Sequence, residues 1–134
     1  MRPDWGPWPF RRVPDGTGRA PFRDNRAVLS SDDARQLALG LPEAREQDHH
    51  GRPSFRVDGK IFATLWTPEA LNVMADEELI AAAVEESPAS CSKVFWGKRL
   101  SAVQFELALA DPEQVERLLH AAWTSRAPRR LLED

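Results

Sequence analysis

The dipeptide Asp58-Gly59 constrains this chain more than any other feature. It separates Phe55–Val57 from Lys60–Trp66, two runs rich in residues that favour strands. An Asp-Gly pair in that setting is a strong hairpin signal, because both turn positions favour residues that tolerate positive φ. A hairpin makes its two strands antiparallel. Lys93–Trp96 and Ser101–Leu107 flank Gly97 in the same way, and Leu71–Ala75 alternates as a half-buried strand should. The strands come in hairpin groups and not as strand–helix–strand units. The fold class read from this pattern is α+β, an antiparallel sheet of about five strands with three helices packed on it.

Each helix is bounded by recognisable residues. Ser30 or Ser31 can cap the first, with Asp32 and Asp33 in its positive first turn and Ala34, Leu37, Ala38 and Leu41 forming one apolar stripe before Pro42. Asp76 opens the second, with Leu79, Ile80, Ala83 and Val84 facing a core and Ser87-Pro88 ending it. The third begins at Asp111, with Pro112 at its first position and Gln114 where a capping-box partner belongs. Its stripe is Val115, Leu118, Leu119 and Ala122, and Pro128 stops it.

The first hairpin admits two registers. A two-residue loop pairs Val57 with Lys60 and mixes Arg52 and Arg56 into the face of Ile61, Ala63 and Leu65, burying charge without partners. A three-residue loop with Gly59 as a bulge pairs Arg56 with Lys60. Pro53, Phe55, Ile61, Ala63 and Leu65 then share the core face, while Arg52, Ser54, Arg56, Lys60, Phe62, Thr64 and Trp66 share the other. Sorting of faces fixes register, so the second is the expectation.

That outer face carries cations with aromatic rings between them, and Arg45, His49 and His50 lie just upstream. Such a surface suits a polyanion, with Arg and Lys on phosphates and rings stacked on bases. Alternatively, another element covers Phe62 and Trp66 and the arginines snorkel over them. Further basic clusters are Lys93, Lys98 and Arg99 around Trp96, and Arg126, Arg129 and Arg130 after the last helix, where cations also answer the helix dipole.

Charge is unevenly divided. Residues 1–29 carry net +3 and five of the 11 prolines without apolar periodicity, and the rest of the chain sums to −6. The domain reading is therefore an irregular Pro/Arg/Trp-rich extension over 1–29 and one folded domain over 30–134. No stretch has the roughly 18 apolar residues of a membrane span or the block of a signal peptide, so no membrane contact and a cytoplasmic location are expected. The one cysteine, Cys91, excludes an internal disulfide. His49 and His50 are adjacent, and neighbouring strand residues point to opposite faces, so no metal site is expected of them. No nucleophile elbow, phosphate loop or dinucleotide fingerprint occurs. No catalytic residues and no cofactor are assigned, and an enzyme is not expected.

Leu41-Pro42-Glu43, the segment from Asp48 to Val57 with its His-Gly-Arg-Pro-Ser-Phe core, and Gly59-Lys60-Ile61-Phe62-Ala63-Thr64-Leu65-Trp66 resemble the MmcQ/YjbR family. So do Leu71-Asn72-Val73-Met74, Trp96-Gly97-Lys98-Arg99, and Ala122-Trp123 with Ala127-Pro128, a resemblance spanning about residues 30–133. It implies a CyaY-like (frataxin-like) sheet flanked by helices. Its members are generally described as DNA-binding, sometimes with a double-wing label. The leading expectation is a small non-enzymatic DNA-binding protein, with the two hairpins as wings and with low sequence specificity because no recognition helix with a basic face is evident. Arg52, Arg56, Lys60, Lys98 and Arg99 would meet phosphates, with Trp66 or Trp96 packed beside them. The alternative is a binding module for a small anionic ligand or a protein partner at His49, His50, Arg52 and Trp66. A pocket lined by those residues favours the alternative, and a flat or convex basic face favours DNA.

Overall fold

The structure, a computed structural model, describes residues 29–132. Its elements are α1 (Ser31–Leu39), β1 (Arg45–His49), β2 (Arg52–Val57), β3 (Lys60–Thr67), β4 (Ala70–Met74), α2 (Glu77–Glu86), β5 (Cys91–Trp96), β6 (Arg99–Glu106), α3 (Pro112–Arg126) and a single turn, α4 (Arg129–Leu132). One antiparallel sheet has the order β1-β2-β3-β4-β6-β5. The α+β class stands, with six strands where about five were read and with α4 as a short fourth helix. The added strand is β1, Arg-Glu-Gln-Asp-His, which is largely exposed and has no apolar alternation. It forms because His50 and Gly51 take φ of 56° and 85° and close a second two-residue turn onto β2. An edge strand with little burial leaves no periodic signal. The extension read over 1–29 lies outside the described residues except for Leu29, whose N–H donates to the Leu107 carbonyl at 3.2 Å.

The helix caps form as their side chains dictate. Ser30 and Asp33 make a reciprocal capping box, Asp76 Oδ1 accepts from the Leu79 N–H at 2.9 Å, and Asp111 Oδ1 accepts from the Glu113 N–H at 3.1 Å. Two expectations need correction. Gln114 is no capping partner: it is fully buried, its Nε2 donates to the Ala83 carbonyl, and its Oε1 accepts from the Cys91 thiol, tying α3 to α2 and β5. Leu79 faces outward at 39% exposure, leaving Ile80 and Ala83 as the buried part of α2. One face of the sheet packs under the helices. Phe55, Val57, Leu65, Leu71, Val73, Val103 and Phe105 meet Ala34, Ala38, Ile80, Val115, Leu119 and Trp123 in a single core.

The first hairpin departs from the expected register in an instructive way. Asp58 and Gly59 have φ of 54° and 78°, and Val57 pairs directly with Lys60, so the loop has two residues and not three. Arg56 therefore faces Ile61. The ladder then slips at Phe62: Phe55 pairs with Ala63 and Ser54 with Thr64. Phe62 is the extra residue of a bulge, and it enters the core with Ala63, both fully buried. Ile61, read as core, stands half-buried beside Arg56, whereas Phe62, read as outward, is core. The bulge lets a tight turn coexist with sorted faces.

Candidate functional site

Cross-strand pairing sets the surface opposite the core. Gln47 pairs with Ser54, Ser54 with Thr64, Thr64 with Asn72, Asn72 with Gln104 and Gln104 with Ser92. A row of uncharged polar side chains thus crosses all six strands. Ser54, Thr64 and Asn72 in its middle are 0%, 5% and 4% exposed. Buried polar groups are normally hydrogen-bonded. Ser54 Oγ donates to the Gln47 carbonyl at 2.8 Å, and Gln104 Nε2 donates to Asn72 Oδ1 at 2.8 Å. Among the described residues, the Thr64 hydroxyl and Asn72 Nδ2 have no such partner.

Cations stand above this floor. The Arg52 guanidinium sits over the Trp66 indole, its Cζ 3.9 Å from the ring centre, and its Nε donates to the Trp66 carbonyl at 2.7 Å. These two contacts hold the guanidinium plane and leave both terminal nitrogens unclaimed by the described residues. Trp66 is itself the extra residue of a second irregularity in β3, between the Leu65–Leu71 and Thr67–Ala70 pairs, and strand alternation puts it on the face of Thr64. Arg56 leans along the sheet: its Nε donates to Ser54 Oγ at 3.1 Å and its Nη2 reaches His49 Nδ1 at 3.5 Å. The His49 and His50 rings meet with centres 4.4 Å apart and planes tilted 60° to each other, His50 being held in the left-handed region by its turn. From the end of α3, Arg126 donates through Nε to the Ile61 carbonyl at 2.9 Å and through Nη1 to Ser125 Oγ at 2.8 Å.

These groups line a cavity of about 760 Å³, with Gly59, Ile61, Met74 and Trp96 completing the wall. The size is that of a small-molecule site. Its lining holds three arginines and two histidines and, among the described residues, no carboxylate. The ion pairs recorded for the described residues fall elsewhere, at Arg35–Asp32, Arg35–Glu46, Arg117–Glu86 and Arg130–Glu43. Positive charge held in a concave surface without a partner focuses an anion there. A second cavity of about 530 Å³ adjoins it, sharing Trp96 and Arg126 and lined also by Asp76, Glu77 and Arg99.

Of the residues singled out in the sequence, the structure gathers His49, His50, Arg52, Arg56 and Trp66 in the first cavity and puts Arg99 in the second. Lys60 and Lys98 line neither and stand exposed at the two hairpin turns. Asn72, Met74 and Ile61 were not anticipated there. Strand alternation alone does not bring them to Thr64; the bulge at Phe62 and the β3–β4 pairing do. No helix among the described residues is long and apolar enough to cross a membrane. The family model that matches the chain is YjbR, over residues 39–125. No curated protein and no solved structure matches significantly.

Proposed function

This chain belongs to the YjbR family, and from that footing we propose that its sheet-face cavity binds a small anionic ligand, with no catalysis. One observation carries the reading: three arginines converge on a concave site whose described lining offers no carboxylate to neutralise them. Desolvated guanidinium groups are costly when unpaired, and an anion supplies the missing charge through charge-assisted hydrogen bonds. Arg52 and Arg56 are the anion-binding residues, with His49 and His50 beside them; Arg126, already engaged twice, braces the far wall.

The test is an amide-shift titration with inorganic phosphate at low salt. The expected result is saturable shifts at Arg52, Arg56 and Thr64, lost in an Arg52→Ala/Arg56→Ala double variant. Shifts scattered over the surface, or identical in the variant, would overturn the assignment.

A DNA-binding reading of low sequence specificity has its own support. Val57–Lys60, Met74–Ala102 and Trp96–Arg99 lie at one end of the ladder, so both hairpin turns leave the sheet at the same end with Lys60, Lys98 and Arg99. Fluorescence anisotropy of labelled duplex and single-stranded DNA across a salt series separates the two readings. Micromolar binding with log K linear in log salt supports phosphate gripping by the wings. Absence of binding at low salt, where attraction is strongest, removes it.

A further inference from the structure

We infer that the ligand is nucleotide-like: an anionic group joined to a flat ring whose edge carries hydrogen-bond acceptors. The inference rests on the anion-binding reading above and adds the rest of the ligand to it. Three features of the cavity specify that remainder. Its lining includes planar and carbon-rich side chains: Trp66, which lies under Arg52, and Trp96, Ile61 and Met74. Trp96 is 60% exposed and available for stacking. A flat ring can lie against such a surface or against the guanidinium plane of Arg52. The floor supplies the third feature. Thr64 and Asn72 are more than nine-tenths buried and line the cavity, and the Thr64 hydroxyl and Asn72 Nδ2 lack a partner among the described residues.

Donors aimed into a site and left unsatisfied cost free energy until acceptors meet them. Asn72 Oδ1 is already taken by Gln104 Nε2, which orients the amide so that its NH₂ is the group left over. A ring nitrogen or ring carbonyl is the acceptor a planar ligand presents at its edge. A purely hydrocarbon ring would leave both donors empty. An anion at Arg52 and Arg56 and a ring over Thr64 and Asn72 are compatible because Arg56 bonds to Ser54, the direct cross-strand neighbour of Thr64. Neighbouring strands lie about 4.8 Å apart, so the two subsites are within the span of a single mononucleotide.

Four probes test this by calorimetry on the full chain: uridine 5′-monophosphate, 1-naphthyl phosphate, ribose 5-phosphate and inorganic phosphate. The expected order puts the nucleotide first, at least tenfold tighter than naphthyl phosphate, with ribose 5-phosphate and phosphate weaker still. Thr64→Val removes only the hydroxyl at nearly constant shape. It should weaken uridine 5′-monophosphate about tenfold, leave naphthyl phosphate unchanged and leave the thermal midpoint equal to or above that of the wild type. A midpoint that holds shows that the variant folds. Trp96→Ala, at an exposed position, should reduce both ring-bearing ligands toward the affinity of ribose 5-phosphate. If all four phosphates bind equally, the nucleotide inference falls while anion binding stands. If none binds, both fall.

Discussion

Arg52 and Arg130 show how differently two arginines act in one fold. Arg130 makes a bidentate pair with Glu43, both bonds at 2.9 Å, on an exposed surface. Its hydrogen bonds to Glu43 hold that carboxyl below the ordinary carboxylate range. A carboxylate whose pKa is depressed by folding stabilises the native state above its unfolded value, and that contribution is lost as pH falls through the lowered folded value. Exposure screens the pair, so its share of stability is small. The Arg130→Ala variant should therefore unfold at a slightly lower denaturant concentration than the wild type at neutral pH. The gap should close below the ordinary carboxylate range, which parallel urea titrations at several pH values would show. A gap that widens in acid would contradict the pairing. Arg52 has no carboxylate among the described residues; its plane rests on an indole and its Nε on a carbonyl, so its charge remains for a ligand. Which of the two roles an arginine takes was not legible from residue type, because Glu43 and Arg130 are 87 positions apart.

At the scale of elements, β3 decides the site. It contributes Phe62 to the core and Ile61, Thr64 and Trp66 to the cavity, and the register slip at Phe62 makes that division possible. Truncating Phe62, fully buried as the extra residue of its bulge, should cost about 3–5 kcal/mol, as large-to-small aromatic substitutions in cores do. Gly59→Ala should cost only about 1 kcal/mol: nothing lies within 4 Å of the added methyl group, and only the φ of 78° opposes it. Chemical denaturation would rank the two, and an equal loss would mean that the Asp58-Gly59 turn carries more than the local strain of one residue. Helix starts at Ser30, Asp76 and Asp111 were legible because a cap is decided within a few residues. The Asp58-Gly59 turn was legible for the same reason. The loop length was misread because face-sorting and turn chemistry conflicted locally, and a bulge two residues farther along resolved both. The polar row from Gln47 to Ser92 depends on five pairings at once, which no local pattern encodes.

The whole molecule carries net −3, yet the described lining of its sheet-face cavity has cations and no carboxylate. On the readings proposed above, segregation of that kind would separate two modes of anion capture in space. The cavity gathers His49, His50, Arg52 and Arg56, while Lys60 and Lys98 ride on hairpin turns that line neither cavity. The two hairpins are three strand spacings apart, about 14 Å, so they can meet two phosphates of a duplex without involving the floor of the sheet. A double charge reversal, Lys60→Glu/Lys98→Glu, should leave inorganic phosphate affinity within about twofold and remove most of any duplex affinity. Arg52→Glu/Arg56→Glu should abolish phosphate binding. Each phosphate contact adds a slope of about −0.9 to log K against log salt. Losing two hairpin lysines should therefore flatten the duplex slope by about 2, whereas the phosphate isotherm should keep its salt dependence. If the lysine pair abolishes phosphate binding as well, the cations act as one continuous surface, and the cavity is then a dip in a nucleic-acid platform and not a separate ligand site.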